Sequence, residues 1–157
     1  WVAMELVPGL VAPAEHSAIV NAHFRIAPPA GTPLMTGVIG GSAEWVFAFP
    51  DRISITVSGA DAIVEKDREE LAALFWSDVA AVLNLPAELP PWQIVKERRA
   101  TFAATPEQAA LRPGPITRWS NLLLAGDWTD TGLPATLEGA VRSGQKAARL
   151  ALSRTSG

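Results

Sequence analysis

Cysteine is absent from the 157 residues, so neither a disulfide nor a thiolate metal site can form, and redox chemistry says nothing about the compartment. Histidine is scarce. His16 and His23 stand apart from any metal-like cluster, so no metal site is expected and both read as surface or half-buried structural residues. An excess of positive charge is also missing: 13 basic against 16 acidic residues give a net charge of −3, which offers nucleic acid no electrostatic footing as a partner. No apolar run approaches the roughly 20 residues of a membrane-spanning helix, and no charged-then-apolar leader opens the chain, so a soluble protein is expected. The common catalytic and nucleotide signatures are lacking as well. Gly37-Val38-Ile39-Gly40-Gly41 has no following Lys-Ser/Thr to cradle phosphate, no GxGxxG occurs, and Ser17, Ser42 and Ser143 lack a G-x-S-x-G setting.

What is present is a chain with 48% apolar residues, enough to bury a core within a single-domain length. Its opening, Trp1-Val2-Ala3-Met4-Glu5-Leu6, begins in mid-pattern, and a piece of a longer protein is the expectation. Residues 17–26 alternate, with Ala18, Val20, Ala22, Phe24 and Ile26 on one face, which predicts a half-buried strand. Residues 34–41 read as a short edge segment or a loop. A hairpin follows: residues 43–49 place Trp45, Phe47 and Phe49 on one face, Pro50-Asp51-Arg52 turns, and residues 53–58 return with Ile53, Ile55 and Val57 on one face. Asp67-Arg68-Glu69-Glu70 has the form of a helix start, and apolar spacing carries the helix to residue 83 before Asn84-Leu85-Pro86 stops it. After Pro90-Pro91, residues 92–102 read as a long strand whose Lys96, Glu97, Arg98 and Arg99 suit a solvated or edge position. Residues 104–114 allow one helical turn.

The richest stretch is residues 121–152. Asn121-Leu122-Leu123-Leu124-Ala125 is an apolar run closed by Gly126, which suits a strand buried on both faces. Pro134 fits a first helical turn, and the helix that follows would bury Leu137, Ala140, Val141, Gly144, Ala147, Ala148 and Ala151, with Glu138, Arg142, Gln145 and Arg149 opposite. Gly139 and Gly144 each sacrifice about 1 kcal/mol of helix propensity, which implies a close approach to the backbone. A strand leading through Gly-Asp into a helix start gathers unpaired amides and the positive end of the helix dipole. Such a point suits anionic or carbonyl oxygens, although a tight connection without a ligand has the same geometry.

The string GDWTDTGLPATLEGAVRSGQKAA resembles the carboxy-terminal flavin-binding signature of the amine oxidase and phytoene desaturase superfamily of FAD-dependent oxidoreductases, most of all its squalene-associated desaturase-like branch. The resemblance implies an α+β fold: residues 1–116 as part of an antiparallel-sheet substrate domain with covering helices, and residues 117–157 as the closing strand-turn-helix of an FAD-binding domain. It implies FAD contacts from Gly126, Asp127, Trp128, Thr136, Leu137, Glu138 and Gly139. The Asp127 carboxylate would accept a ribityl hydroxyl, and the amides at Thr136, Leu137 and Glu138 would face the flavin pyrimidine edge. Asp127, Asp130 and Glu138 otherwise serve as capping and loop acceptors. The implied substrate is a polyisoprenoid lipid, reached by dehydroxylation or desaturation through hydride transfer, with an FAD-dependent amine oxidase and a non-catalytic binding module as alternatives. Trp45, Phe47, Phe49, Phe24 and Trp92 are expected to be ordinary core, with the lining of an apolar cavity as the alternative. No acid or base is nominated. The same resemblance implies a missing amino-terminal FAD-binding portion, weak or no FAD retention by this chain alone, self-association through the uncovered strand and helix, and a cytoplasmic location with peripheral membrane contact.

Overall fold

The computed structural model describes residues 2–155; Trp1, part of the mid-pattern opening, lies outside them. The chain divides into two compact units, one of residues up to His16 together with those from Thr101 onward, the other Ser17–Ala100.

In the second unit five strands form one sheet: β1 (His16–Phe24), β2 (Met35–Gly37), β3 (Trp45–Phe49), β4 (Arg52–Ser58) and β5 (Trp92–Phe102), in the order β2-β3-β4-β1-β5. The β2–β3, β3–β4 and β4–β1 pairs are antiparallel. At β1 and β5 the Arg25 amide donates to the Pro91 carbonyl and the Ala103 amide to that of Glu15, so partner numbers fall as β1 advances and this pair is antiparallel too. The expected α+β class with an antiparallel sheet is what forms.

Helix α2 (Arg68–Leu83) covers one sheet face. Asp67 occupies its N-cap position but makes no capping hydrogen bond through its side chain. Asn84 ends the helix in the left-handed region at φ 52°, its amide returning to the Ala80 carbonyl. Leu71, Phe75, Trp76 and Val79 of the helix meet Val20, Phe24, Val46, Ile53 and Ile55 of the sheet in one buried cluster. Phe24 and Trp76 pack tilted, with ring centroids 5.0 Å apart.

The β3 aromatics depart from expectation. Core was expected for Trp45, Phe47, Phe49, Phe24 and Trp92; Phe24 is fully buried and Trp92 packs against the core, but Trp45 is 44% exposed and Phe47 and Phe49 are half-buried. The register explains it. Ile55 lies opposite Val46 and Ile53 opposite Ala48, so the branched face of the hairpin meets α2, while Trp45 and Phe47 pair with Thr56 and Ser54 on the other face. His23, opposite Ser54, joins that second face and hydrogen-bonds the Ser54 hydroxyl at 2.9 Å.

One further reading holds. β5 is an edge strand, and its charges are engaged locally: Lys96 donates to the Lys66 carbonyl and Arg98 pairs with Glu65. Just after the glycine-rich run, Asp78 of α2 accepts from the amides of Ser42 at 2.5 Å and Ala43 at 2.9 Å. No helix among the described residues is long and apolar enough to cross a membrane.

The first unit contains the short helices α1 (Val2–Leu6) and α3 (Pro106–Ala110), and the long α4 (Leu137–Thr155). The strand expected over residues 121–125 is reduced to a single antiparallel bridge, Ile116 with Leu123, backed by the Leu124 amide on the Pro115 carbonyl. A ladder needs a neighbour along its whole length, and among the described residues only the segment around Ile116 opposes this run.

Candidate cofactor-binding site

α4 begins at Leu137, three residues later than Pro134 suggested. Thr136 sets the boundary. Its hydroxyl accepts from the Gly139 amide at 3.2 Å and its carbonyl from the Ala140 amide at 3.0 Å, which is N-cap geometry. The amides of Leu137 and Glu138 then have no acceptor among the described residues, as first-turn amides do not. Glu138 turns its carboxylate away to Arg142, 2.6 Å from Nε, in an exposed i,i+4 pair.

The helix presents a different face from the expected one. Gly139 and Ser143 are buried, whereas Leu137 is 88% and Val141 56% exposed. The reason is polar. The Gly126 amide donates to the Ser143 hydroxyl at 3.1 Å, Ser143 and the buried Thr129 hydroxyl lie 2.6 Å apart, and Thr129 donates to the Gly126 carbonyl at 2.8 Å. These bonds fasten the Gly-Asp turn onto the Gly139–Ser143 side, and the apolar stripe rotates outward.

Gly126 adopts φ 141°, where a side chain is strained, and a Cβ there would strike the Trp128 indole, whose Cδ1 would lie at 2.6 Å. Gly126→Val is therefore expected to lower stability by about 1–3 kcal/mol and to expel Trp128 from its place, with a red-shifted tryptophan emission as the readout. Gly139 also has a close neighbour, the Pro134 carbonyl, 3.0 Å from where a Cβ would stand. Its missing side chain thus admits the loop of its own chain. Gly144 has nothing within 4 Å of such an atom, and the structure gives no reason for a glycine there.

The residue that sequence reasoning missed is Arg112. Its guanidinium donates to the carbonyls of Leu133 (2.7 Å), Asp127 (2.9 Å) and Thr129 (2.5 Å) and to the Thr131 hydroxyl (3.1 Å), and it lies 5.1 Å from the Phe102 ring centroid. With Ser143 and Thr129 it shapes residues 126–133. No sequence pattern announces it, since three of its four acceptors are backbone atoms.

Of the seven expected residues, Gly126, Asp127 and Trp128 share this turn, while Thr136, Leu137, Glu138 and Gly139 form the start of α4. The half-buried Asp127 carboxylate has no partner among the described residues, and neither have the Asp127 and Trp128 amides. An acceptor beside unspent donors is the set that a ribityl hydroxyl and nearby carbonyl or phosphate oxygens require, so these residues fit a flavin nucleotide. No group of three His, Asp or Glu side chains suited to a metal ion occurs among the described residues. A cavity of about 280 Å³ lined by Thr129, Thr131, Arg142, Ser143 and Lys146, among others, lies beside the turn and includes none of the seven.

Comparison with known proteins gives the family of the chain. The chain is 63% identical over 151 residues to a hydroxysqualene dehydroxylase of Rhodopseudomonas palustris, covering 96% of this chain and 36% of the relative. It is 59% identical to one of Sinorhizobium fredii, covering 98% of this chain and 37% of that protein. Over 106 residues, 68% of this chain and 18% of the relative, it is 37% identical to a 15-cis-phytoene desaturase of an Oncidium hybrid cultivar. The chain thus spans little more than a third of the length of the first two relatives. The family model for flavin containing amine oxidoreductases matches residues 12–152, nearly the whole chain, and the chain belongs to that family.

Proposed function

We propose that this chain is the carboxy-terminal part of an FAD-dependent oxidoreductase that acts on a hydroxylated squalene-type polyisoprenoid. The observation that carries the reading is the Gly126-Asp127-Trp128 turn, fixed from within by Arg112, Thr129 and Ser143 while its outer amides and the Asp127 carboxylate stay without partners. Bound FAD supplies hydride-level, two-electron chemistry. The chain's own residues hold and orient it: Asp127 accepts from the ribityl chain, and the Leu137 and Glu138 amides, at the positive end of α4, favour the negative charge of a reduced pyrimidine edge. The division at residue 117 between a substrate domain and the FAD-binding domain belongs to this proposal.

The names of the relatives support the substrate class, and the sheet supports it independently. Trp45, Phe47 and Phe49 lie off the core, on the sheet face away from α2, where they offer an apolar wall. So apolar a substrate partitions into lipid, which suits a cytoplasmic enzyme in peripheral contact with a membrane. An amine oxidase remains the alternative chemistry, and a flavin-free binding module the alternative class.

The test is the full-length gene product. It is expected to purify with a flavin spectrum and, when reduced, to convert a hydroxylated squalene to the corresponding hydrocarbon, read by mass spectrometry. Asp127→Ala should weaken FAD binding by about 10–100-fold, the worth of one hydrogen bond to a charged acceptor. A flavin-free full-length protein would exclude the reading in favour of the binding module. Turnover of amines and not of the isoprenoid would replace the substrate.

A further inference from the structure

Arg112 carries positive charge among oxygen acceptors that are all neutral. It has no ion pair with a carboxylate among the described residues, and its buried Nε has no partner. Four hydrogen bonds and the Phe102 ring offset the cost of placing the charge there, and no carboxylate among the described residues neutralises it.

Peptide geometry shows what it does to the turn. In a planar trans peptide the carbonyl and the following amide point in opposite directions. Arg112 draws in three carbonyls, so the three following amides point away from it. One of these positions is Pro134, which has no amide hydrogen. Another is Asp130, whose amide is spent on the Pro113 carbonyl at 2.9 Å. The third is Trp128. Its amide, opposite the Asp127 carbonyl that Nη2 holds, is the one left for a ligand.

We infer that Arg112 is the positioning residue of the cofactor turn: gripping the carbonyls of Asp127, Thr129 and Leu133 from inside, it holds the Trp128 amide outward, toward an oxygen of the bound flavin nucleotide. The inference rests on the flavin reading of residues 126–128. The planar fork of arginine is what reaches four acceptors from one stem, and a lysine ammonium would reach fewer. Its unneutralised charge adds a field that favours an anionic ligand at the turn.

The experiment uses the full-length gene product with Arg112→Met, Arg112→Lys and, as a control on an exposed pair, Arg98→Met. FAD affinity is read by flavin fluorescence, and hydrogen–deuterium exchange is followed at residues 126–133. Arg112→Met should bind FAD about 100-fold more weakly, equivalent to the loss of about two hydrogen bonds. Arg112→Lys should lose about tenfold, equivalent to one hydrogen bond. Exchange should rise at 126–133 and stay unchanged in Ser17–Ala100, and millimolar guanidinium should restore FAD binding to Arg112→Met but not to Asp127→Ala.

FAD affinity in Arg112→Met within twofold of the unsubstituted protein overturns the inference. So does a loss that guanidinium leaves uncorrected while exchange rises throughout the molecule, since that is general destabilisation. If Arg112→Met does not fold, Arg112→Lys and Thr131→Val decide by the same readouts. An unsubstituted protein without flavin would sink the functional reading instead, and the exchange data would still settle whether Arg112 holds the turn.

Discussion

Titrated with FAD, the 157-residue chain is expected to bind at least about a thousandfold more weakly than the full-length gene product. In the proposed site its own contacts would come from the Gly126-Asp127-Trp128 turn and the first amides of α4, set against the ribityl chain, part of the pyrophosphate and the flavin edge. The sequence contains no GxGxxG to hold the pyrophosphate from the other side, nor the acidic residue that follows such a fingerprint and fixes the adenosine ribose. Three or four missing hydrogen bonds at about 0.5–1.5 kcal/mol each, more where charge is involved, amount to about 4 kcal/mol. Each 1.4 kcal/mol is about tenfold in dissociation constant, so about three decades are lost. Flavin fluorescence measures it directly. Binding by the 157 residues as tight as that of the whole protein would mean that the site is not divided.

Punctuation in the sequence announced the bounds of β5 and α2. Pro90-Pro91 sets the start of β5 at Trp92, and Asn84, in the left-handed region, ends α2 at Leu83. Where an outcome depends on a partner, punctuation is silent. Alternation in β3 separates Trp45, Phe47 and Phe49 from Val46 and Ala48, but only pairing with the β4 isoleucines decides which set meets α2. The run Leu122-Leu123-Leu124 has the composition of a strand, and its ladder awaits a neighbour that these residues do not supply. At α4, Pro134 and Thr136 both qualify as start signals, and Thr136 wins because its hydroxyl satisfies an amide that a proline upstream cannot. The turn at Gly126 was legible because Gly-Asp closes an apolar run, and both residue types favour turns. Arg112 was not, since a residue that binds backbone carbonyls leaves no mark on the side chains it serves.

Phe75→Ala and Phe47→Ala are expected to part company sharply, although each removes one phenyl ring. Phe75 is 0% exposed on α2 and belongs to the cluster between helix and sheet, so its truncation leaves a cavity and should lower stability by about 3–5 kcal/mol. Phe47 is half-buried on the opposite sheet face, beside Ser54 and Met35 in the register, and its truncation should cost less than about 1 kcal/mol. Urea unfolding of the two variants compares them on one scale. In the full-length enzyme the order should reverse for substrate: Phe47→Ala should raise KM for the isoprenoid about 10–100-fold with kcat little changed, because a ring that buries against an apolar chain contributes about 1.5–3 kcal/mol of uniform binding. Equal destabilisation by both variants would return the β3 aromatics to the core. An unchanged KM in Phe47→Ala would leave the open sheet face without a part in substrate binding, whatever its stability showed.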